Sequence, residues 1–356
     1  MAKVLIHVQH LLGSGHAHRM AALAAALADA GHDTTLASGG APLGLAHGRA
    51  RLVQLPWLRA ADASFKDLRD EHGRAIDDAW RGVRASATLE LFGRVDPDLL
   101  IVELYPFGRG MLAFELEALL AKAASIPVLG SVRDVLQRPA DGRKAAKRIE
   151  AAGRYAAILV HGDRDFLPLE TSWPETAALA GKLVYTGYVA SPGATPATGR
   201  DEIVVSVGGG AAGAALLDMA LACAARRAHT RERWRIRVGN AGPLRACDNR
   251  FVVIEHNQPD FADLLRHARL SISQAGYNTC VDLLQARCPA ILVPFAAGNE
   301  REQTIRADAF KRRSLAAVLG TDQTLDDAID AAKVPAPHDI SCAGAVVAAK
   351  LAAQWL

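Results

Sequence analysis

The chain has 356 residues, half of them hydrophobic and 22% charged, which suffices for large cores and, at ~150 residues per domain, for two domains. A formal net charge of +3 gives no support for a nucleic-acid-binding surface, which needs a concentrated basic stripe. The five cysteines, Cys223, Cys247, Cys280, Cys288 and Cys342, include no CxxC pair and are odd in number, which argues against a disulfide framework or zinc site and fits a reducing cytoplasm.

The chain opens MAKVLIHVQ, which reads as a strand and not as a signal peptide. No run approaches ~18 uninterrupted apolar residues, so no spanning helix is expected; peripheral membrane contact stays open. Arginine outnumbers lysine and alanine is abundant, as in a GC-rich bacterial coding sequence. Strands are predicted at Val4–Gln9, Thr34–Ser38, Leu99–Tyr105, Val128–Val132, Ala157–His161 and Leu183–Tyr188. Helices are predicted at Ala17–Ala30, in a charged stretch within Ala61–Arg94, and at Met111–Ala124 and Gly142–Gly153. Runs such as LLIV and AILV are apolar on both faces, the mark of a parallel sheet covered by helices.

The segment Ala190 to Glu202 holds Pro192, Pro196 and two glycines, with no core-forming run, and reads as a linker. The alternation then restarts. Strands are predicted at Ile203–Val207, Arg235–Val238, Val252–Glu255, Leu270–Ser273, Ala290–Pro294 and Leu315–Leu319. Helices are predicted at Ala212–Ala228, Phe261–Ala268, Thr279–Ala286 and Glu300–Lys311, with a last one from Ala343 to Leu356. The expected domains are 1–190, a linker at 191–201, 202–340, and a terminal helix at 341–356. Ligands of open parallel sheets bind beyond the strands' C-terminal ends, so two such halves are expected to line a cleft.

Three glycine-bearing turns carry candidate chemistry. HLLGSGHAHRM, His10 to Met20, joins the first strand to the first helix. Gly13 and Gly15 permit a tight turn, and His16 or His18 could act there as a general base; a plain glycine turn with surface histidines fits equally. SVGGGAAG, Ser206 to Gly213, places Gly208, Gly209 and Gly210 where backbone N–H groups can meet a pyrophosphate, but lacks a Walker lysine. The third stretch, Ser271 to Ala307, ends a strand at Ser273 and offers the small Ala275 and Gly276. A helix is expected from Asn278 or Thr279, its positive end suited to phosphate, with Asp282 one turn in as a ribose-binding carboxylate. A later loop brings Asn299, Glu300, Glu302 and Gln303 as sugar-binding candidates, and Gln258 joins the donor-side set. In the first half Glu103 and Arg109 of ELYPFGRG, Arg133 and Asp134 of SVRD, and His161 and Asp163 of HGDRD fall near strand C-termini and suggest a polar acceptor pocket. Trp57, Trp80 and Tyr188 could stack on a sugar, though core packing explains lone aromatics as well.

The stretch from Ser273 to Gln303 resembles the C-terminal domain of glycosyltransferase family 28, which includes the peptidoglycan N-acetylglucosaminyltransferase. The shared pattern is S-x-A-G, Thr, an acidic residue, a proline before an apolar strand ending V-P, and a Gln-bearing loop. HLLGSGH, ELYPFGRG, SVRD and YTGY look nearer a separate bacterial branch of predicted glycosyltransferases. The resemblance implies an α/β GT-B fold, two Rossmann-like domains facing a central cleft, with the last helix packing back on the first domain. It implies an inverting, metal-independent transfer from a UDP-sugar to a hydroxyl acceptor, small or lipid-linked, with no cofactor. By position it assigns ribose binding to Asp282, the phosphate turn to Gly276 and Thr279, donor-sugar contact to Gln303, the interdomain loop to Gly208, Gly209 and Gly210, and the base to His16. The chain departs from the pattern at Arg287, where glycine is usual, at Glu302, where a second glutamine is common, and at Arg306, where asparagine is common. The last two leave the donor sugar open. The first turn also resembles UDP-sugar hydrolases of the same fold, which use water as acceptor; a non-catalytic nucleotide-sugar-binding protein is a third reading.

Overall fold

A computed structural model of the chain describes residues 1–62, 65–190, 201–208, 210–239, 244–258, 260–295 and 301–356, without the side chains of 210–212. The chain divides into two compact units, Met1–Val189 with Ala343–Leu356, and Ala190–Cys342.

The first unit contains β1 (Lys3–Val8), α1 (Gly15–Asp29), β2 (Asp33–Ser38), β3 (Arg51–Gln54), β4 (Leu58–Ala60), β5 (Leu68–Asp70), α2 (Asp78–Val95), β6 (Leu99–Glu103), α3 (Ala113–Lys122), β7 (Val128–Arg133), α4 (Gly142–Ala152), β8 (Ala157–His161) and β9 (Leu183–Tyr185). Seven parallel strands run in the order β3-β2-β1-β6-β7-β8-β9, and β4 and β5 form an antiparallel pair. Fully buried strands such as LLIVE of β6 sit between two apolar layers. One layer gathers Leu91, Leu116, Leu119, Ile149 and Trp173; the other gathers Met20, Leu23, Leu27 and, from the chain's end, Ala348, Ala349 and Ala352.

The second unit contains β10 (Glu202–Ser206), α5 (Gly210–Arg226), β11 (Arg233–Val238), β12 (Val252–His256), α6 (Phe261–His267), β13 (Ala268–Ser273), α7 (Tyr277–Ala286), β14 (Ala290–Leu292), α8 (Glu302–Arg312), β15 (Ala317–Val318) and α9 (Leu325–Asp330). Its six parallel strands follow the order β12-β11-β10-β13-β14-β15. This is the strand order of a dinucleotide-type fold, with the switch point between β10 and β13. The final helix α10 (Gly344–Ala352) belongs to the first unit. A Cβ at Gly344 would collide with the carbonyl oxygens of Gly187 and Tyr188, so this close return of the chain requires glycine.

Three differences from the predicted elements have local causes. The charged stretch within Ala61–Arg94 becomes helical only at Asp78. Before it, the Asp70 carboxylate accepts the backbone N–H groups of His72 and Arg74, closing a turn that competes with a helix. Asp77 then caps α2 by accepting from the Trp80 N–H. β3 and α9 are additions. They are short and polar enough to leave no periodic signal. Residues 191–200, most of the expected linker, lie outside the described residues.

Candidate active site

In the first unit the parallel β1 and β6 bring the first turn beside the end of β6. Gly13 is exposed, and Gly15 opens α1, which places His16 in its first turn. His16 Nδ1 lies 2.5 Å from Glu103 Oε1, and Arg19 Nη2 donates to the same oxygen at 2.8 Å. With the Nδ1 proton directed at Glu103, the other ring nitrogen of His16 is left as a lone-pair acceptor. Burial keeps the His16 ring neutral, against the upward pull of Glu103. Burial would also raise Glu103, but His16, Arg19 and Arg109 outweigh it and hold the carboxylate ionised. Glu103 Oε2 is buried with no hydrogen-bond partner among the described residues. Arg109 adopts a left-handed φ of 58° and donates from Nε to the Gln9 carbonyl at 3.0 Å.

Of the other first-unit candidates, His161 lies within electrostatic range of Arg19 and Glu103. Asp134 is fully buried and accepts the Tyr188 hydroxyl at 3.2 Å. Arg133 ends β7 and is partly buried. His161 is fully buried, with Ser131 Oγ 2.9 Å from Nε2 and Thr186 Oγ1 2.9 Å from Nδ1, and burial lowers it to about 3. Asp163 accepts the N–H groups of Asp165 and Phe166. Trp57 and Trp80 are half-buried, His18 is exposed.

Sequence reasoning missed the support beneath this turn. Arg84 of α2 is fully buried and grips Glu115 of α3 with both Nε (2.7 Å) and Nη2 (3.0 Å). Thr88 Oγ1 adds a third donor to Glu115 at 2.9 Å. Arg84 also donates to Gln9 Oε1 and to the Gly39 and Pro56 carbonyls. A buried ion pair so completely satisfied fixes the residues around Gln9. Two such residues so far apart in sequence carry no local signal.

In the second unit the candidates collect at the ends of β10 and β13. Gly208 is exposed, Gly209 lies outside the described residues, and Gly210 opens α5. A Cβ at Gly213 would collide with the Gly208 carbonyl oxygen, so the loop folds tightly onto α5. A Cβ at Gly208 would collide with Gln274 Oε1, which puts the turn after β13 against the glycine loop. α7 begins at Tyr277, earlier than predicted, with Gly276 as its N-cap and no side chain capping it. Its first-turn N–H groups have no carbonyl partner within the helix, and its N-terminus carries partial positive charge. Gly276 has φ −66° and no atom within 4 Å of a would-be Cβ, so nothing in the described protein demands a glycine there. Asn278 is exposed and Thr279 partly so.

Asp282 lies further along α7, only 7% exposed, with no hydrogen-bond partner among the described residues. Burial pushes it up to about 7 despite the nearby Arg266 cation. Ser273 is fully buried, its hydroxyl without a partner among the described residues, and Gln258 is exposed. Glu302 opens α8 and is buried. Gln303 Oε1 accepts the Phe295 N–H at 3.0 Å. Asn299 and Glu300 lie outside the described residues. Arg287 takes a left-handed φ of 48° at the end of α7, which explains why glycine is usual there. Among the described residues no group of His, Cys, Asp and Glu could hold a metal ion, and no helix is long and apolar enough to cross a membrane.

Residues 204–332 match the family model of the glycosyltransferase family 28 C-terminal domain. No curated protein matches the chain. Among solved structures, the calicheamicin glycosyltransferase CalG4 superposes with TM-score 0.63 at 16% identity, over 99% of this chain and 98% of that one. The spinosyn rhamnosyltransferase SpnG complexed with thymidine diphosphate gives 0.58 at 18%, over 99% and 95%. MurG of Acinetobacter baumannii gives 0.55 at 15%, over 99% and 95%.

Proposed function

We propose, from the premise that this is a glycosyltransferase family 28-like chain with the GT-B fold, that it is an inverting glycosyltransferase using a UDP-sugar and a hydroxyl acceptor. The observation that carries the donor reading is the start of α7, inside the matched span. There a helix N-terminus with no side-chain cap follows a glycine with open space around a would-be Cβ, and a buried carboxylate without a hydrogen-bond partner among the described residues lies further along the same helix. A diphosphate suits the first feature and ribose hydroxyls suit the second. Gln303 keeps its amide N–H donors for a sugar while its oxygen is held by Phe295.

In the proposed reaction the acceptor oxygen attacks the anomeric carbon as the bond to the diphosphate oxygen breaks. The leaving diphosphate takes that electron pair, and the α7 N–H groups stabilise its charge. The acceptor proton passes to the free ring nitrogen of His16. Glu103, ionised and anchored by Arg19, holds the ring and balances the imidazolium that forms. A single displacement inverts the anomeric carbon. The helix N-terminus supplies the positive charge that a metal would otherwise supply, so chelators are expected to leave activity unchanged.

A thermal-shift panel of UDP-, dTDP- and GDP-sugars tests the donor reading, because a ligand of the folded state raises its melting temperature. The dTDP arm is included because SpnG was solved with thymidine diphosphate. A shift with none of them overturns the proposal. Release of sugar and UDP at full rate without any acceptor would make the enzyme a hydrolase.

A further inference from the structure

Arg306 departs from the family pattern, and its surroundings give it a use. It sits in the middle of α8, 1% exposed, with Nη1 donating to the Ala275 carbonyl at 2.7 Å and its guanidinium 5.8 Å from the Tyr277 ring centroid. Ala275 and Tyr277 flank Gly276, the N-cap of α7. A trans peptide points its C=O and N–H in opposite directions. Holding the Ala275 carbonyl toward Arg306 therefore turns the Gly276 N–H away from Arg306. A Cβ built on Gly276 would meet no atom of the described protein within 4 Å, so the turn itself is uncrowded.

We propose that Arg306 is a positioning residue of the diphosphate site: it sets the Ala275–Gly276 peptide so that its N–H joins those of α7. An asparagine, the common residue at this place in the family, is too short and carries no charge, so this chain meets the phosphates by a different arrangement. The inference rests on the donor reading above, since it names how that same site holds its anion.

The readout is the ratio of affinities for a nucleoside diphosphate and its bare nucleoside, measured by calorimetry on the full chain with UDP and uridine, and with dTDP and thymidine. For Arg306→Met the diphosphate affinity is expected to fall about tenfold or more, as for loss of one charge-assisted contact, with the nucleoside affinity unchanged. Arg306→Lys, which keeps charge and reach, is expected to recover most of the loss. If the methionine variant does not fold, Arg306→Ala carries the same test, since it too removes the N–H donor to the Ala275 carbonyl. Equal losses for diphosphate and nucleoside, or no loss for the diphosphate, overturn the assignment. A wild-type protein that binds neither diphosphate overturns the donor reading itself, which is a separate result.

Discussion

Acidification is expected to act in opposite directions on the two units. In the first unit His161 is fully buried and its proton affinity drops from 6.5 to about 3. The unfolded chain then binds the proton that the folded one refuses, so stability is complete above the unfolded value and is lost as pH falls below it. Each pH unit below that value costs about 1.4 kcal/mol, so going from about pH 7 to about pH 5 removes about 2 kcal/mol through His161 alone. His7, which burial lowers to about 4, adds to the loss. In the second unit Asp282 is raised from 3.8 to about 7 by burial. Here the folded state holds the proton more tightly, and the same acidification stabilises by about 2 kcal/mol. His338, lowered by burial, takes back part of that gain.

Hydrogen exchange on the full chain, corrected for the intrinsic pH dependence of amide exchange, reads the two units separately through peptides of β8 and α7. Protection of β8 is expected to fall and that of α7 to rise between about pH 7 and about pH 5. His161→Gln should reduce the first slope, leaving the part carried by His7 and His16, and Asp282→Asn should flatten the second. Parallel responses in both units, or slopes untouched by these substitutions, would refute the reasoning.

Replacing His16 with alanine should cut turnover about a hundredfold to ten-thousandfold, the range for a general base, while leaving UDP binding intact by calorimetry. Wild-type turnover in that variant removes His16 from the mechanism. Because burial keeps His16 neutral, the acid limb of the wild-type rate profile should lie below the usual imidazole range near about pH 6.5. UDP affinity should weaken as pH drops below about 7, because a protonated Asp282 loses acceptor capacity, and Asp282→Asn should be weak and flat with pH. Arg84→Met leaves the Glu115 carboxylate buried beside Thr88 without its cation, and should cost about 3–5 kcal/mol in denaturant unfolding of the first unit. A loss of under about 1 kcal/mol would mean that water reaches Glu115.

Much of the parallel architecture was legible because buried strands such as Leu99–Glu103 and Ala157–His161 are continuous apolar runs between helical stretches. The turns were legible where glycine marks close approach, as at Gly213 against Gly208. What stayed hidden depends on contacts between distant residues. Arg84 and Glu115 stand in ordinary amphipathic helices, and only folding shows that they bury each other. Glu103 was named from its place at a strand end, but its bond to His16 spans 87 residues, and Arg19 looked like one more helical arginine. Arg306 was visible only as a departure from the family pattern, because its bond to the Ala275 carbonyl spans 31 residues. It supports the turn from within.

Three of the buried carboxylates, Glu115, Glu103 and Asp282, differ in how far the described protein satisfies them. Glu115 receives three donors from Arg84 and Thr88, so its acceptor capacity is largely used. Glu103 receives two, both on one oxygen, and its other oxygen is buried without a partner among the described residues. Asp282 receives none among the described residues and is driven toward protonation. A buried acceptor left empty costs stability, so its persistence calls for a compensating role. Under the proposed function that role is ligand binding, and the order follows: UDP should lower the titration midpoint of Asp282 by donating ribose hydroxyls to its ionised form, and leave Glu115 untouched. Carboxyl carbon shifts followed through a pH titration with and without UDP distinguish the three. A UDP-induced change at Glu115 but not at Asp282 would place the ligand elsewhere.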